Sequence, residues 1–254
     1  MNSFRLDRRL ALVTGASRGI GCGIARALAG AGADILLAAR PSPDLEQAAA
    51  QIRALGRRAE TCAVDLHDIE GIPAWFDEVV RQHGRPDILV NAAGTTRRAP
   101  AESLTMEDWN ENITVNLTAV FALCQAFARH SIAAGAKGKI INIASLMVAA
   151  ARRTNSAYAA SKGGLGQLTK ALAVDWADKG ILVNAITPGY IATKLTEPLW
   201  TDPEFDAWVK KRTPLGRWGT PEDLGAPAVF LAAPASDFIT GQILFVDGGW
   251  ISTF

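Results

Sequence analysis

The distribution of apolar residues along the chain constrains its fold more than any other feature of the sequence. Short runs rich in Val, Ile and Leu alternate with longer segments of helical pattern. Nearly continuous apolar strands separated by helices are typical of a parallel sheet covered on both faces. The sequence therefore predicts an α/β, doubly wound domain. The predicted strands are 10–13, 35–39, 59–64, 88–90, 140–144, 182–186 and 243–246, and the predicted helices are 19–31, 44–55, 68–83, 107–134, 156–179 and 220–233.

The composition is that of one globular domain. Of the 254 residues, 49% are hydrophobic, and no Pro/Gly/Ser-rich linker divides the chain, so residues 1–254 are predicted to form a single domain. The net charge of +1 gives no long-range field, so neither nucleic acid nor a membrane is an expected partner. The N-terminal segment lacks a signal-peptide pattern, and a cytoplasmic location is expected. The three cysteines lack metal-ligand spacing, so we expect small buried residues and no metal.

A glycine-rich turn, Thr14-Gly-Ala-Ser-Arg-Gly-Ile-Gly21, joins the first predicted strand to the first helix. Its glycines allow a tight turn and a close approach of the backbone to a pyrophosphate at the helix N-terminus. The spacing T-G-x-x-x-G-x-G differs from the dinucleotide fingerprint G-x-G-x-x-G. Taken alone, the turn also fits a glycine-rich connection without a ligand.

Tyr158 and Lys162 form the strongest chemical signal. They are four residues apart in a predicted helix and therefore share one helix face. An ammonium near a phenol favours the phenolate and lowers a pKa whose ordinary value is about 10. The pair predicts an acid/base device, and Ser145 lies at the end of the preceding apolar strand.

Together, these motifs make the whole chain resemble the short-chain dehydrogenase/reductase family, whose members have a single-domain Rossmann fold. The matching residues occur in the family's order and cover nearly the whole chain. They are Thr14-Gly15-x-x-x-Gly19-x-Gly21, Asp65, Asn91-Ala-Ala-Gly94, Asn116, Ser145, Tyr158-x-x-x-Lys162 and Pro188-Gly189. Where the family often has a second Asn, this chain has Ala92, which is expected to affect only a local turn contact.

The resemblance implies a role for each catalytic residue. Tyr158 would exchange the hydroxyl proton of the substrate, and Ser145 would hydrogen-bond the reacting oxygen. Lys162 would lower the pKa of the tyrosine and bind the nicotinamide ribose. Asn116 would hold a water that continues the proton relay.

The resemblance also implies a binding site for NADP or NAD. Asp65 would accept from the adenine amino group, Asn91 and Gly94 would line the ribose moieties, and Ile191-x-Thr193 would meet the carboxamide. Asp65 has an alternative role as the N-cap of the following helix. The full predicted cofactor set is Gly15, Ser17, Arg18, Gly19, Ile20, Gly21, Arg40, Asp65, Leu66, Asn91, Ala93, Gly94, Tyr158, Lys162, Pro188, Gly189, Ile191 and Thr193.

Cofactor choice depends on the end of the second strand. An acidic residue there would select NAD by accepting from the ribose 2′-hydroxyl, but this chain has Arg40. Arg18 in the glycine turn can reach the same region, and two guanidinium groups suit the 2′-phosphate of NADP. NADP is therefore predicted as the preferred cofactor. In the alternative, Arg18 packs over the adenine of either cofactor and Arg40 faces solvent.

The substrate side begins with Arg97 and Arg98, just after the nicotinamide-side Gly94. Either arginine would bind a carboxylate through two parallel hydrogen bonds. With Ser145 and Tyr158 they form the predicted substrate site. Together with 189–193, 217–219 and 246–250, they make the chain look like the sugar-acid branch of the family, which includes gluconate 5-dehydrogenases and 2-dehydro-3-deoxy-gluconate dehydrogenases.

Further expectations come from the resemblance alone. Residues 190–217 would form a substrate lid, and the C-terminal 247–250 would contribute to a homotetramer. Three alternatives stay open: exposed arginines and a different alcohol substrate, a 3-oxoacyl-thioester reductase, and a non-catalytic dinucleotide sensor. The complete Ser145, Tyr158, Lys162 and Asn116 set disfavours the sensor.

Overall fold

The predicted sheet is confirmed by a computed structural model, which describes residues 2–253. The two end residues of the predicted domain 1–254 lie outside this range. Seven strands form one parallel sheet in the order β3-β2-β1-β4-β5-β6-β7. They are β1 Leu10–Thr14, β2 Asp34–Ala39, β3 Ala59–Ala63, β4 Ile88–Asn91, β5 Gly138–Ile143, β6 Ile181–Pro188 and β7 Ile243–Val246.

Helices cover both faces of the sheet, as expected for strands that are apolar on both sides. One face carries α1, α2 and α9, and the other carries α3, α5 and α6, each with its own apolar core. The helices are α1 Gly19–Gly30, α2 Pro43–Ala54, α3 Ile72–His83, α4 Met106–Ile113, α5 Ala119–Ala133, α6 Ser156–Trp176, α7 Glu197–Trp200, α8 Pro203–Arg212 and α9 Gly225–Ala232.

Local signals in the sequence explain where several helices begin. Ser42 caps α2 by accepting from the Leu45 amide at 3.3 Å, and Thr105 caps α4 by accepting from the Asp108 amide at 3.1 Å. The predicted helix 68–83 begins only at Ile72. The Asp68 carboxylate accepts from the Gly71 amide at 3.0 Å, and this turn precedes the first helical residues.

The predicted helix 107–134 is helical over 106–133, but its regular period is interrupted. It is divided into α4 and α5 by a π-helical turn over Thr114–Thr118. A π turn inserts one residue into the helix and turns a side chain out of its regular register, and such turns are frequent at functional sites. The buried residue at the centre of this turn is Asn116.

Strand order locates the ligand crevice. The chain leaves β1 towards β2 on one side and later reaches β4 on the other, so the order reverses between β1 and β4. Ligands of open α/β sheets bind beyond the carboxyl ends of strands at such a point. The glycine turn after β1 and Asn91–Gly94 after β4 meet there.

Two further observations bear on the sequence-based expectations. Cys62 and Cys124 are buried, as expected, whereas Cys22 is partly exposed. Burial raises the pKa of the Cys62 thiol to about 11 and that of Cys124 to about 12. Between residues 2 and 253, none of the helices combines the length and apolarity that a membrane crossing requires.

Candidate active site

Tyr158 and Ser145 come together from two elements. Ser145 follows β5 and begins a short 3-10 turn, whose Met147 amide donates to the serine Oγ at 3.3 Å. Tyr158 lies in the first turn of α6. Burial raises the pKa of Tyr158 above its ordinary value of 10.0, whereas a hydrogen bond with Ser145 and the positive charge of Arg98 lower it. The acid form of the tyrosine is therefore the stable one at neutral pH.

Lys162 is the most deeply buried cation of the site, with 4% of its surface exposed. Its Nζ donates to the Ile143 carbonyl at 2.7 Å and lies 6.0 Å from the centre of the Tyr158 ring. Burial lowers the pKa of Lys162 from 10.5 to about 8. At this geometry Arg98, rather than Lys162, supplies the positive charge that lowers the pKa of the tyrosine.

Asn116 connects the loop after β4 to α6. Its Oδ1 accepts from the Thr95 amide at 2.9 Å, and its Nδ2 donates to the Thr95 carbonyl at 3.0 Å and to Ser161 Oγ at 3.1 Å. Ser161 in turn donates to the Tyr158 carbonyl at 2.8 Å. The side chain of Asn116 therefore holds the loop and α6 together. Its role in a water relay stays a prediction.

The glycine turn is packed so closely that two of its residues cannot carry a side chain. A Cβ on Gly15 would lie 2.7 Å from the Cα of Ala93, and one on Gly21 would lie 2.4 Å from the Gly15 carbonyl oxygen. Gly15 also has a φ of +63°, which favours glycine. The turn lies directly against the loop after β4, so the backbone itself forms this wall of the crevice.

Two predicted cofactor residues are engaged elsewhere. The Asn91 side chain is buried between strands, where its Nδ2 donates to Asn142 Oδ1 at 2.9 Å. Its Oδ1 is buried and has no hydrogen-bond partner within the described residues. Asp65 does not cap α3, because Gly71 holds that position, so the alternative role is wrong.

Asp65 instead pairs with His67, which sequence reasoning missed. The His67 Nδ1 lies 2.8 Å from the Asp65 carboxylate, and its Nε2 lies 2.7 Å from that of Glu111. These two carboxylates raise the pKa of His67, and the hydrogen bonds from His67 lower the pKa of Asp65. The arrangement fixes the loop after β3 against α4, at the expected adenine end of the crevice.

Arg18 and Arg40 are both exposed near the glycine turn. The Arg18 Nη1 lies 3.5 Å from the Asp44 carboxylate, with 61% of the side chain exposed. Arg40 lies close enough to Asp65 to lower the pKa of that carboxyl. Both guanidinium groups are therefore accessible to an anion at the end of β2.

A cavity opens beside Tyr158 and Ser145 at the ends of β5 and β6. Arg98 and Arg152 line it, and their charges act on each other and on Tyr158 or Tyr190. None of the ion pairs formed within residues 2–253 involves either arginine. The remaining lining is Thr96, Leu146, Met147, Asn155, Pro188, Gly189, Tyr190, Ile191, Leu195, Thr196 and Leu199.

Arg97 does not line this cavity. It points to Glu111, 4.0 Å away, and 58% of its side chain is exposed. Of the two predicted arginines, the structure therefore brings only Arg98 to Tyr158. The second arginine that lines the cavity is Arg152, which lies 54 residues further along the chain than Arg98.

The predicted lid region, 190–217, packs through aromatic rings. Tyr190 lies at the centre of a cluster with Phe205, Trp208, Trp218 and Trp250, at ring distances of 5.5 to 5.9 Å. The guanidinium of Arg152 lies 4.4 Å from the centre of the Phe205 ring. A cation–π contact thus connects the cavity wall to α8.

A family model described as Enoyl-(Acyl carrier protein) reductase matches residues 15–251. The chain belongs to the short-chain dehydrogenase/reductase family. Among its relatives, the gluconate 5-dehydrogenase of Gluconobacter oxydans (strain 621H) is 45% identical over 97% of this chain and 96% of its own length. The 2-dehydro-3-deoxy-D-gluconate 5-dehydrogenase of Escherichia coli (strain K12) is 43% identical over 99% of both chains.

A similar solved structure is that of a gluconate 5-dehydrogenase from Burkholderia cenocepacia J2315, in complex with NADP and tartrate. It is 46% identical and has a TM-score of 0.96, covering 100% of this chain and 99% of its own. The predicted family and the resemblance to its sugar-acid branch are thereby confirmed. The roles of single residues stay predictions.

The residues of the crevice fit the dinucleotide that short-chain dehydrogenase/reductases use. The buried Lys162 ammonium has three donors, and the Ile143 carbonyl is its one acceptor within the described part of the chain. Ribose hydroxyls would satisfy the other two donors. The glycine turn would meet the pyrophosphate, and the exposed Arg18 and Arg40 would meet a 2′-phosphate. Residues 2–253 contain no cluster of three His, Cys, Asp or Glu side chains that would hold a metal ion.

Proposed function

We propose that this family member is an NADP-preferring oxidoreductase that interconverts a secondary alcohol and a ketone of a sugar acid, in the manner of gluconate 5-dehydrogenases. One observation carries the substrate class: Arg98 and Arg152 line the cavity beside Tyr158, and neither has a carboxylate partner within the described residues. Two neighbouring positive charges without a counter-ion favour an anionic ligand. The names of the relatives support the same class.

The chemistry of the chain follows from the tyrosine. Tyr158 exchanges a proton with the reacting oxygen, and Ser145 donates a hydrogen bond to that oxygen. A nicotinamide held in the crevice would supply or accept the hydride. Because burial raises the pKa of Tyr158, the protein at neutral pH holds the acid form, which reduction of a ketone requires. Oxidation requires the phenolate and should become faster as the pH rises.

Carboxylate binding sets the orientation of the substrate. A guanidinium presents two parallel donors to a carboxylate, and this geometry fixes the plane of the acid group as well as its place. With the acid group held by Arg98 and Arg152, a hydroxyl further along the sugar chain reaches Tyr158. The cation–π contact of Arg152 with Phe205 connects this binding step to the lid proposed over 190–217.

NADP preference follows from the exposed arginines at the end of β2. Arg40 occupies the position where an acid would select NAD, and Arg18 lies in the adjacent turn. A 2′-phosphate gains charge-assisted hydrogen bonds from both groups. The solved structure with NADP and tartrate supports this preference.

Initial-rate measurements test the proposed function. The purified protein is assayed with NADP and with NAD against D-gluconate, other aldonates, neutral polyols and acetoacetyl thioesters, with Tyr158→Phe as the blank. We expect an aldonate with NADP to give the highest kcat/KM. Activity confined to thioesters would favour the 3-oxoacyl-thioester reductase. Activity confined to neutral polyols would exclude the proposed binding of a substrate carboxylate by Arg98 and Arg152.

We further propose a homotetramer and a cytoplasmic location, both by resemblance to the family. Exposed apolar side chains on α4, α5 and α6, namely Met106, Phe121 and Val174, support an association surface. Light scattering after gel filtration should give four times the subunit mass, and the mass of one subunit would contradict the tetramer. Fractionation of the source cells tests the location.

A further inference from the structure

Asn155 is a buried polar residue for which the described residues show no structural role. Only 5% of its surface is exposed, and its Oδ1 has no hydrogen-bond partner within the described residues. It occupies the N-cap position of α6, yet its side chain makes no capping hydrogen bond. With φ at −130° and ψ at 25°, the residue is outside the extended conformation from which asparagine side chains usually cap helices.

An unpartnered buried acceptor is costly. Leaving such an atom without a hydrogen bond forfeits its interaction with water and gains nothing in return, so each case in a folded protein needs an explanation. An apolar residue would avoid this cost at Asn155. The position of Asn155 in the cavity wall, three residues before Tyr158, places the missing partner among the atoms of a ligand.

Thr96 repeats this pattern on another element. Its Oγ1 is buried, has no partner within residues 2–253, and belongs to a residue that lines the same cavity. Thr96 comes from the loop after β4, and Asn155 comes from the start of α6. Two segments far apart in the sequence thus bring unpartnered polar atoms to the cavity that contains Ser145 and Tyr158. This arrangement fits a ligand with several hydroxyl groups.

We infer that Asn155 is a specificity-determining residue that accepts a hydrogen bond from a substrate hydroxyl other than the reacting one, with Thr96 binding a second hydroxyl. The inference rests on the proposed function and narrows it. Arg98 and Arg152 select the acid group, whereas Asn155 and Thr96 select a polyhydroxylated chain over a deoxygenated or simple hydroxy acid. Sites built to bind a hydroxyl discriminate against the analogue that lacks it, because their own polar groups then stay unpaired.

A double-mutant cycle, with one change made in the protein and the other in the substrate, tests the inference. The wild type, Asn155→Ala and Thr96→Val are assayed with NADP on D-gluconate and on its 2-, 3-, 4- and 6-deoxy analogues. In the wild type, one deoxy position should lower kcat/KM by about 10- to 100-fold, the equivalent of one hydrogen bond. In Asn155→Ala, removal of the same substrate hydroxyl should lower kcat/KM by less than about 2-fold, because the side chain that binds this hydroxyl is already absent. Thr96→Val should remove the discrimination at a different position.

Controls separate a binding role from a structural one. Ser156→Ala changes the exposed neighbour at the start of α6 and should keep the full discrimination of the wild type. Asn155→Ser, which keeps a small polar side chain at this helix start, replaces Asn155→Ala if the latter unfolds. Equal losses on all analogues would overturn the inference and leave the proposed function intact. Failure of the wild type to turn over any sugar acid would overturn both.

Discussion

Two pairs of arginines face the crevice from opposite sides, and they differ in their surroundings. Arg18 and Arg40 lie on the outer surface near the end of β2, and Arg18 already has a carboxylate, that of Asp44, at 3.5 Å. Arg98, which is also exposed, and the half-buried Arg152 line the cavity beside Tyr158, and no carboxylate of the described chain pairs with either. The same side chain is thus placed in two electrostatic settings.

This difference indicates which pair of arginines has the larger effect on ligand binding. Charges on an open surface are screened by water and salt, and their ion pairs contribute about 0 to 1 kcal/mol. A ligand that covers Arg98 and Arg152 removes water from them, so each hydrogen bond formed there is stronger. The cofactor-side pair should therefore set a preference between two cofactors, and the cavity pair should set the class of substrate.

The largest expected effect is on the rate of the chemical step, with cofactor binding nearly unchanged. Tyr158→Phe keeps the ring but removes the hydroxyl that is proposed to exchange the proton, so kcat should fall by about 10²- to 10⁴-fold. The dissociation constant of NADPH should be nearly unchanged, because the outer arginines are untouched. Stopped-flow turnover and fluorescence titration measure the two quantities. Loss of both would mean that the tyrosine is structural.

The burial of Lys162 predicts that the stability of the fold depends on pH. Its pKa is about 8 in the fold against an ordinary 10.5, so between these values the unfolded chain binds the extra proton. The free energy of unfolding of the cofactor-free protein should therefore gain up to about 3 kcal/mol from this group as the pH rises through that window. Below about pH 8 the cost of the buried charge is fully present.

Urea unfolding at several pH values measures this gain. Lys162→Met should lose the contribution, whereas Lys170→Met, which removes an exposed lysine from the same helix, should keep it. If the wild type and Lys162→Met show the same pH dependence, the buried ammonium is not the cause.

The cavity arginines give the next effect. Arg98→Met should raise KM for acidic substrates by about 10- to 100-fold, because a carboxylate loses charge-assisted hydrogen bonds. Arg152→Met should act in the same direction. The exposed neighbours provide matched controls: Arg97→Met and Arg153→Met should change KM by less than about 2-fold. A larger effect at Arg97 than at Arg98 would reverse the comparison.

The smallest expected effect is on the preference between NADP and NAD. Arg40→Asp should shift the NADP/NAD ratio of kcat/KM towards NAD by about 10-fold, since an exposed guanidinium contributes only part of the phosphate binding. The shift should shrink as salt is added. Arg129→Asp, an equal charge change at an exposed site on α5, serves as the control. An unchanged ratio would exclude Arg40 from cofactor selection.

Local spacing made much of the site predictable. Tyr158 and Lys162 share a face wherever their segment is helical, and the glycines after β1 must face the crevice once the strand is parallel and buried. Asn116 was predicted as a site residue, but the π turn around it was not, because a one-residue insertion leaves no pattern in apolar periodicity. The missed residues, Arg152 and Asn155, have no local signal.

The sequence by itself determined the parallel sheet and its two helical layers, and it placed Tyr158 and Lys162 on one helix face, because strand and helix periods place neighbouring residues at fixed relative positions. Only the tertiary structure decided that Arg98 faces the cavity while Arg97 faces Glu111, and that Arg152 and Asn155 join Thr96 around Tyr158. These placements depend on loops whose direction is set by packing between segments far apart in the chain. No period in the sequence encodes such contacts, so they become visible only when the elements are assembled.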